Sequence, residues 1–163
     1  MNSSAVLHGQ SLVRGLARGL VVSLSSPLSL WGGFDLESGR ISDVNHPQCG
    51  EVIAGKILVM PGGRGSSSSS SILLESARIS ANPLAIIVTE KDPIIVIGAL
   101  VAADLYKVEI PVVYIGLDVL GSLASGMEVA VDARADVASI SVLTAASLLA
   151  RGQAPEEGST DPR

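Results

Sequence analysis

Lys56-Ile57-Leu58-Val59-Met60-Pro61-Gly62-Gly63-Arg64-Gly65 runs directly into six consecutive serines, Ser66 to Ser71, and then into Ile72-Leu73-Leu74. Four apolar residues in a row, closed by a proline, form a run of strand length that is apolar on both faces. Ile72, Leu73, Leu74, Ala77 and Ile79 then recur at near-helical spacing until Asn82-Pro83 stops them. The segment therefore predicts a strand, a glycine- and serine-rich loop, and a helix. A loop at that junction is where α/β folds hold ligands, so its reading settles both the fold and the site.

Downstream the pattern repeats. Ala85-Ile86-Ile87-Val88-Thr89 predicts a second buried strand, and Ile94 to Tyr106 a helix behind Asp92-Pro93, an N-cap and first-turn pair. Pro111-Val112-Val113-Tyr114-Ile115 predicts a third strand. Strands alternating with helices in units of this length imply parallel pairing through right-handed crossovers. Met127 to Asp132 alternates apolar and polar residues and is expected to pair with Ala138 to Val142 as a meander across Ala133 to Asp136.

Upstream, Phe34 to Asp43 has the acidic and glycine punctuation of a surface β-turn, with Gly39 able to take positive φ. Leu12 to Leu30 reads as extended structure ending at Pro27. Residues 1–150 are expected to form one domain, and Arg151 to Arg163, polar and carrying Pro and Gly, a disordered tail.

With 163 residues, 47% of them hydrophobic, and a mean hydropathy of +0.48, the chain can build a core. Its four aromatic residues, Trp31, Phe34, Tyr106 and Tyr114, leave that core to Val, Ile, Leu and Ala and offer no platform for stacked bases. Eleven Lys plus Arg against sixteen Asp plus Glu give a net charge of −5, the wrong sign for neutralising phosphate backbones, so no nucleic-acid partner is expected. The longest apolar run, Ile94 to Ala103, is about half the roughly 20 residues that a bilayer requires. Arg14 and Arg18 interrupt any leader-like block, so a soluble, cytoplasmic chain is expected. Cys49, the single cysteine, cannot form an intrachain disulfide or hold a zinc or iron-sulfur centre by itself.

In the loop, glycines admit a ligand close to the backbone, serines offer hydroxyls and caps, and a helix start presents amide donors to an anion. Arg64 adds a permanent cation whose fork suits carboxylate or phosphate. A flexible linker is the plain reading of such a composition, but linkers join domains and this run lies inside one unit. A nucleotide-binding loop would need Lys followed by Ser or Thr, and neither Lys56 nor Lys91 stands there.

His46 and Cys49, three residues apart in a turn-like stretch, could line a cleft or supply a metal ligand, but two ligands do not make a site and structural or surface roles are the favoured reading. Asp35, Asp43 and Glu51 read as solvated turn residues, and Asp104 and Glu109 as surface charges. Trp31 beside Gly32-Gly33 is either a packing anchor or a contact to a partner.

Trp31-Gly32-Gly33-Phe34-Asp35, Gly39-Arg40-Ile41-Ser42-Asp43, His46-Pro47-Gln48-Cys49-Gly50-Glu51, Gly55-Lys56-Ile57-Leu58-Val59 and Pro61-Gly62-Gly63-Arg64-Gly65-Ser66-Ser67-Ser68, in this order, resemble the swivel domain or small subunit of the aconitase X family. Gly98 to Ala102 and Ile110 to Val113 extend the resemblance, which runs from about Gly19 to Val131. It implies an α/β fold, the swivelling β/β/α domain of the aconitase superfamily type. It also implies a heterodimer with a large catalytic subunit that carries an iron-sulfur cluster, this chain holding no metal.

The implied activity is a hydro-lyase, active only with that partner, on a small anionic hydroxy acid. The expected substrate is cis-3-hydroxy-L-proline, converted to pyrroline-2-carboxylate; the alternatives are mevalonate 5-phosphate and a non-catalytic anion-binding regulatory role. The family's proton-accepting serine falls on Ser66, with Ser67 as the other candidate, and substrate binding on Arg64, Gly65, Ser67 and Ser68. One departure stands out: the family pattern leads one to expect a glycine near Ser69, where this chain has unbroken serine, so the helix start is set only to within a residue or two.

Overall fold

The computed structural model describes residues 5–143. The proposed boundary at residue 150 and the tail 151–163 lie outside the described residues.

In chain order the elements are β1 (Val6–Val13), β2 (Leu16–Ser23), α1 (Leu30–Gly33), β3 (Phe34–Asp35), β4 (Arg40–Ile41), β5 (Ile57–Met60), α2 (Ser68–Arg78), β6 (Ala85–Val88), α3 (Pro93–Tyr106), β7 (Val112–Tyr114), α4 (Leu117–Leu120), β8 (Glu128–Asp132) and β9 (Val137–Val142). Seven strands close into a barrel in the order β1-β7-β6-β5-β2-β8-β9. β2, β5, β6 and β7 run parallel to one another, and β8, β9 and β1 complete the circuit through antiparallel pairs.

The central strands are apolar throughout because both of their faces are covered. Ile57, Val59, Ala85, Ile87 and Val113 meet Val129, Val131, Ala138 and Ile140 inside the barrel. The alternate residues, Leu58, Met60, Ile86, Val88 and Val112, pack outward on Leu73, Ala77, Ile95, Ala99 and Ala102 of α2 and α3. Among the described residues no helix packs behind β8 and β9, which alternate more and less buried positions. Gly98 lets the two helices approach: a Cβ there would stand 3.0 Å from the Ser70 carbonyl oxygen and 3.1 Å from its Cα.

The parallel strands, both crossover helices and the β8–β9 meander follow the pattern expected from sequence. Three features differ. Leu12 to Leu30 is not one extended stretch: the chain turns at Arg14-Gly15, and β1 and β2 lie on different parts of the barrel without pairing. The sheet closes on itself, because antiparallel β8, β9 and β1 bridge the two edges that the parallel strands leave open. Finally, α2 begins at Ser68, so four of the six serines form its first turn.

At the turn between β8 and β9, the Arg134 guanidinium donates to both oxygens of Asp132, at 2.9 and 2.6 Å. With a backbone hydrogen bond from Arg134, this pair holds the Asp132 carboxyl down from its ordinary 3.8 to about 2. A depressed folded-state value stabilises the fold above the unfolded value, and that contribution fades as pH falls from about 3.8 toward 2. Carboxyl NMR titration should find Asp132 near 2, and Arg134→Gln should return it toward 3.8; an unchanged midpoint in the variant would discount the pair.

Candidate functional site

The serine loop leaves the C-terminal end of β5, at the edge where β2, β6 and β7 also end. Crossover connections in open α/β sheets gather ligands at this edge, and this barrel keeps that arrangement along its parallel half. The loop is pinned on both sides. The Pro61 carbonyl accepts the backbone N–H groups of Thr89 (3.1 Å) and Glu90 (2.8 Å) and the Thr89 hydroxyl (3.0 Å). Gly63 bridges in parallel to Leu28, and the Arg64 N–H donates to the Leu28 carbonyl at 3.2 Å.

Two glycines shape the loop here. Gly65 has φ of +103°, in the region that favours glycine. At Gly63 a Cβ would run into an Asp92 carboxylate oxygen, the end of a side chain that would have to shift. The other oxygen of Asp92 accepts the Ile94 N–H at 2.8 Å, so this carboxylate both caps α3 and packs on the loop. The Asp92-Pro93 motif predicted the cap; that Asp92 also faces Gly63 has no signal in local sequence.

Ser66 is exposed, and its Oγ accepts the Ser68 N–H at 3.1 Å while its carbonyl accepts the Ser69 N–H at 3.0 Å. The hydroxyl thus sits one residue before Ser67, the N-cap of α2, and accepts from the first N–H of the helix in a local serine turn. An N–H aimed at a hydroxyl oxygen favours its anionic form, as does the positive end of an 11-residue helix. Arg64, Gly65 and Ser66 line one depression with Ser69, Asp92, Ile94 and Leu28. Ser67 is exposed and Ser68 half-buried in the first turn; neither reaches that depression. Its volume, about 10 Å³, is room for about one water and far too little for a hydroxy acid. A wider groove of about 570 Å³ lies on the outer face of β2, β8 and β9, but its arginines, Arg18 and Arg134, are paired with Glu128 and Asp132. The serine loop, where helix terminus and hydroxyl converge, is the candidate site.

Ser69 stands where the resemblance leads one to expect a glycine. It is buried, and its hydroxyl accepts the Trp31 N–H at 3.2 Å, tying the turn at α1 to α2. The Trp31 side chain is 56% exposed, so it anchors no core. Asp43, expected as a solvated turn residue, is only 20% exposed and lies 3.5 Å from the Arg64 guanidinium.

His46 is buried between two loops. Its Nε2 bonds the Ser26 carbonyl at 3.2 Å and its Nδ1 accepts the Gln48 N–H at 3.1 Å, an arrangement that puts the proton on Nε2 and fully occupies the ring. It is a structural clamp. Cys49 is exposed and free, and among the described residues no group of three or more His, Cys, Asp or Glu side chains could hold a metal. The residues present do not fit an iron-sulfur cluster. No helix among the described residues is long and apolar enough to cross a membrane.

The chain is similar to several known proteins. It is 42% identical over 120 residues to the phosphomevalonate dehydratase small subunit of Methanothermobacter thermautotrophicus, covering 74% of this chain and 88% of that one. It is 37% identical over 116 residues to cis-3-hydroxy-L-proline dehydratase of Pseudomonas aeruginosa, covering 71% of this chain but only 20% of that longer protein. The chain thus spans about a fifth of the one relative and most of the other. The crystal structure of Thermococcus kodakaraensis aconitase X (holo-form) superposes with a TM-score of 0.75 at 37% identity, covering 86% of this chain and 99% of that one. Residues 6–140 match the family model of the aconitase X swivel domain, and the chain belongs to that family.

Proposed function

We propose that this chain is the small subunit of a two-subunit hydro-lyase that dehydrates a small hydroxy acid, with Ser66 as proton acceptor and Arg64 holding the substrate carboxylate. The observation that carries the proposal is the placement of the Ser66 hydroxyl at the start of α2, accepting the Ser68 N–H, in a depression that Arg64 also lines and that is too small to enclose a substrate. The remaining walls then come from a partner. The relatives support this division: one is named a small subunit, and the other carries the matching region as a fifth of a longer dehydratase.

Dehydration moves a carbon-bound proton to a base, turns the C–H electron pair into a double bond, and releases the hydroxyl as water. In cis-3-hydroxy-L-proline the proton leaves the carbon bearing the carboxylate for Ser66 Oγ, and Arg64 fixes that carboxylate. A serine hydroxyl is a weak base unless ionised. The helix terminus stabilises an anion by at most about 2 kcal/mol, which is roughly one and a half pKa units. The larger share of the activation must therefore come from groups that the partner brings and from exclusion of water once the two surfaces close. An iron-sulfur cluster carried by the partner would supply the Lewis acid for the departing hydroxyl.

Mevalonate 5-phosphate is the second reading, favoured by the 42% and 40% identity to small subunits of which this chain covers 88%. Both acids carry the carboxylate that Arg64 is assigned to hold. The test is co-expression with a family large subunit and parallel assays on the two acids. The complex is expected to turn over one of them and the isolated chain neither; dehydration by the isolated chain would overturn the two-subunit reading.

A further inference from the structure

The excursion between β3 and β5 contains the His46-Pro47-Gln48-Cys49 stretch, to which the proposed chemistry assigns no role. Its internal bonds lead to one side chain, Asp43. One Asp43 carboxylate oxygen accepts the Asn45 N–H at 2.9 Å, and its carbonyl accepts the His46 N–H at 3.0 Å. His46 in turn is locked by the Ser26 carbonyl and the Gln48 N–H, and the Gln48 side chain accepts from the Ser25 N–H at 3.4 Å. The preceding Ser42 N–H donates to the Gly33 carbonyl at 2.9 Å. The backbone around Asp43 is thus fixed and one carboxylate oxygen is held by the Asn45 N–H, with the second oxygen facing the Arg64 guanidinium at 3.5 Å.

Arg64 is built the opposite way. Its backbone is pinned to Leu28, while its side chain is 67% exposed, with many rotamers open to it. We infer that Asp43 is a positioning residue for Arg64: a fixed carboxylate that takes one edge of the guanidinium and turns the other edge over the serine loop, ready for the substrate carboxylate. As a surface ion pair this contact adds little to stability. Its effect lies in pre-ordering a long side chain, so that substrate binding does not have to. The inference rests on the reading of Arg64 as the carboxylate-binding residue.

Two measurements test it. In the full chain, ¹⁵N relaxation of the Arg64 Nε–H should show an ordered side chain that becomes mobile in Asp43→Asn, which can still accept the Asn45 N–H; equal mobility in both overturns the inference. In the complex with a large subunit, assayed on whichever of cis-3-hydroxy-L-proline and mevalonate 5-phosphate it turns over, Asp43→Asn should raise KM about tenfold and leave kcat within about twofold. Asp43→Glu should recover part of that loss, and Asp43→Asn should add nothing in an Arg64→Gln background. Arg64→Gln that raises KM while Asp43→Asn does not would overturn the positioning role alone. Arg64→Gln with unchanged KM would overturn the carboxylate assignment, and this inference with it.

Discussion

Ser66→Ala in the reconstituted two-subunit enzyme is expected to lower kcat about a thousandfold while KM changes by less than about threefold, the pattern of a group that acts in the transition state rather than in ground-state binding. The magnitude follows from general base catalysis, which contributes roughly 10²- to 10⁴-fold. Alanine also removes the acceptor of the Ser68 N–H, a hydrogen bond worth about 1 kcal/mol, so a modest fall in Tm should accompany the kinetic loss. Ser66→Asn separates the two effects. The asparagine side-chain oxygen can accept the same N–H but offers no hydroxyl, so the variant should keep Tm and still lose turnover. Ser67→Ala, at an exposed position that does not reach the depression, should stay within a few-fold of the parent. Turnover retained within tenfold in Ser66→Asn would end the assignment of Ser66 as base, and a large loss in Ser67→Ala would move it one residue along.

Ile87→Ala should cost about 2–5 kcal/mol of folding free energy, read as a fall in the urea midpoint with little change in slope. Ile87 is fully buried inside the barrel, on β6, paired with Val59 on one side and Val113 on the other. Truncation leaves a void that a closed barrel cannot collapse around, because every strand is hydrogen-bonded on both edges. Against a total stability of about 5–15 kcal/mol, such a loss threatens the fold itself. Val137→Ala is the control. Val137 lies on β9 but is 66% exposed, and its truncation should stay within about 0.5 kcal/mol. A loss at Ile87 no larger than at Val137 would mean that the barrel interior is not the cooperative core.

The relative arrangement of stability and chemistry follows from these two experiments. Ile87 belongs to the interior that fixes the ends of β5 and β6, and Ser66 to the loop hung from those ends. Gly98 joins them, since only a residue without a side chain lets α3 pack against Ser70 in the first turn of α2. The serine loop is thus set by contacts on both sides of it rather than by its own flexible composition.

Much of this was legible in sequence, because the signals are local. Ile57 to Met60 and Ala85 to Val88 are apolar without alternation, and only a strand covered on both faces is built that way. Asp92-Pro93 marked the start of α3, and the alternation of residues 128–132 marked a strand with one wet face. The glycine-arginine-glycine-serine stretch after β5 identified the candidate site, since loop position and residue chemistry both depend on neighbours in the chain. Tertiary structure alone decided the rest. Nothing in Leu12 to Leu30 tells a single extended segment from two strands that turn at Gly15 and part, because extended residues look alike whichever strand they pair with. Nor does any local pattern bring Asp43 to Arg64, Asp92 to Gly63, or the Ser69 hydroxyl to the Trp31 N–H. Each is a meeting of segments distant in sequence, and its partners could have been solvated equally well apart; barrel closure and the packing of the loops over its parallel edge are what brought them together.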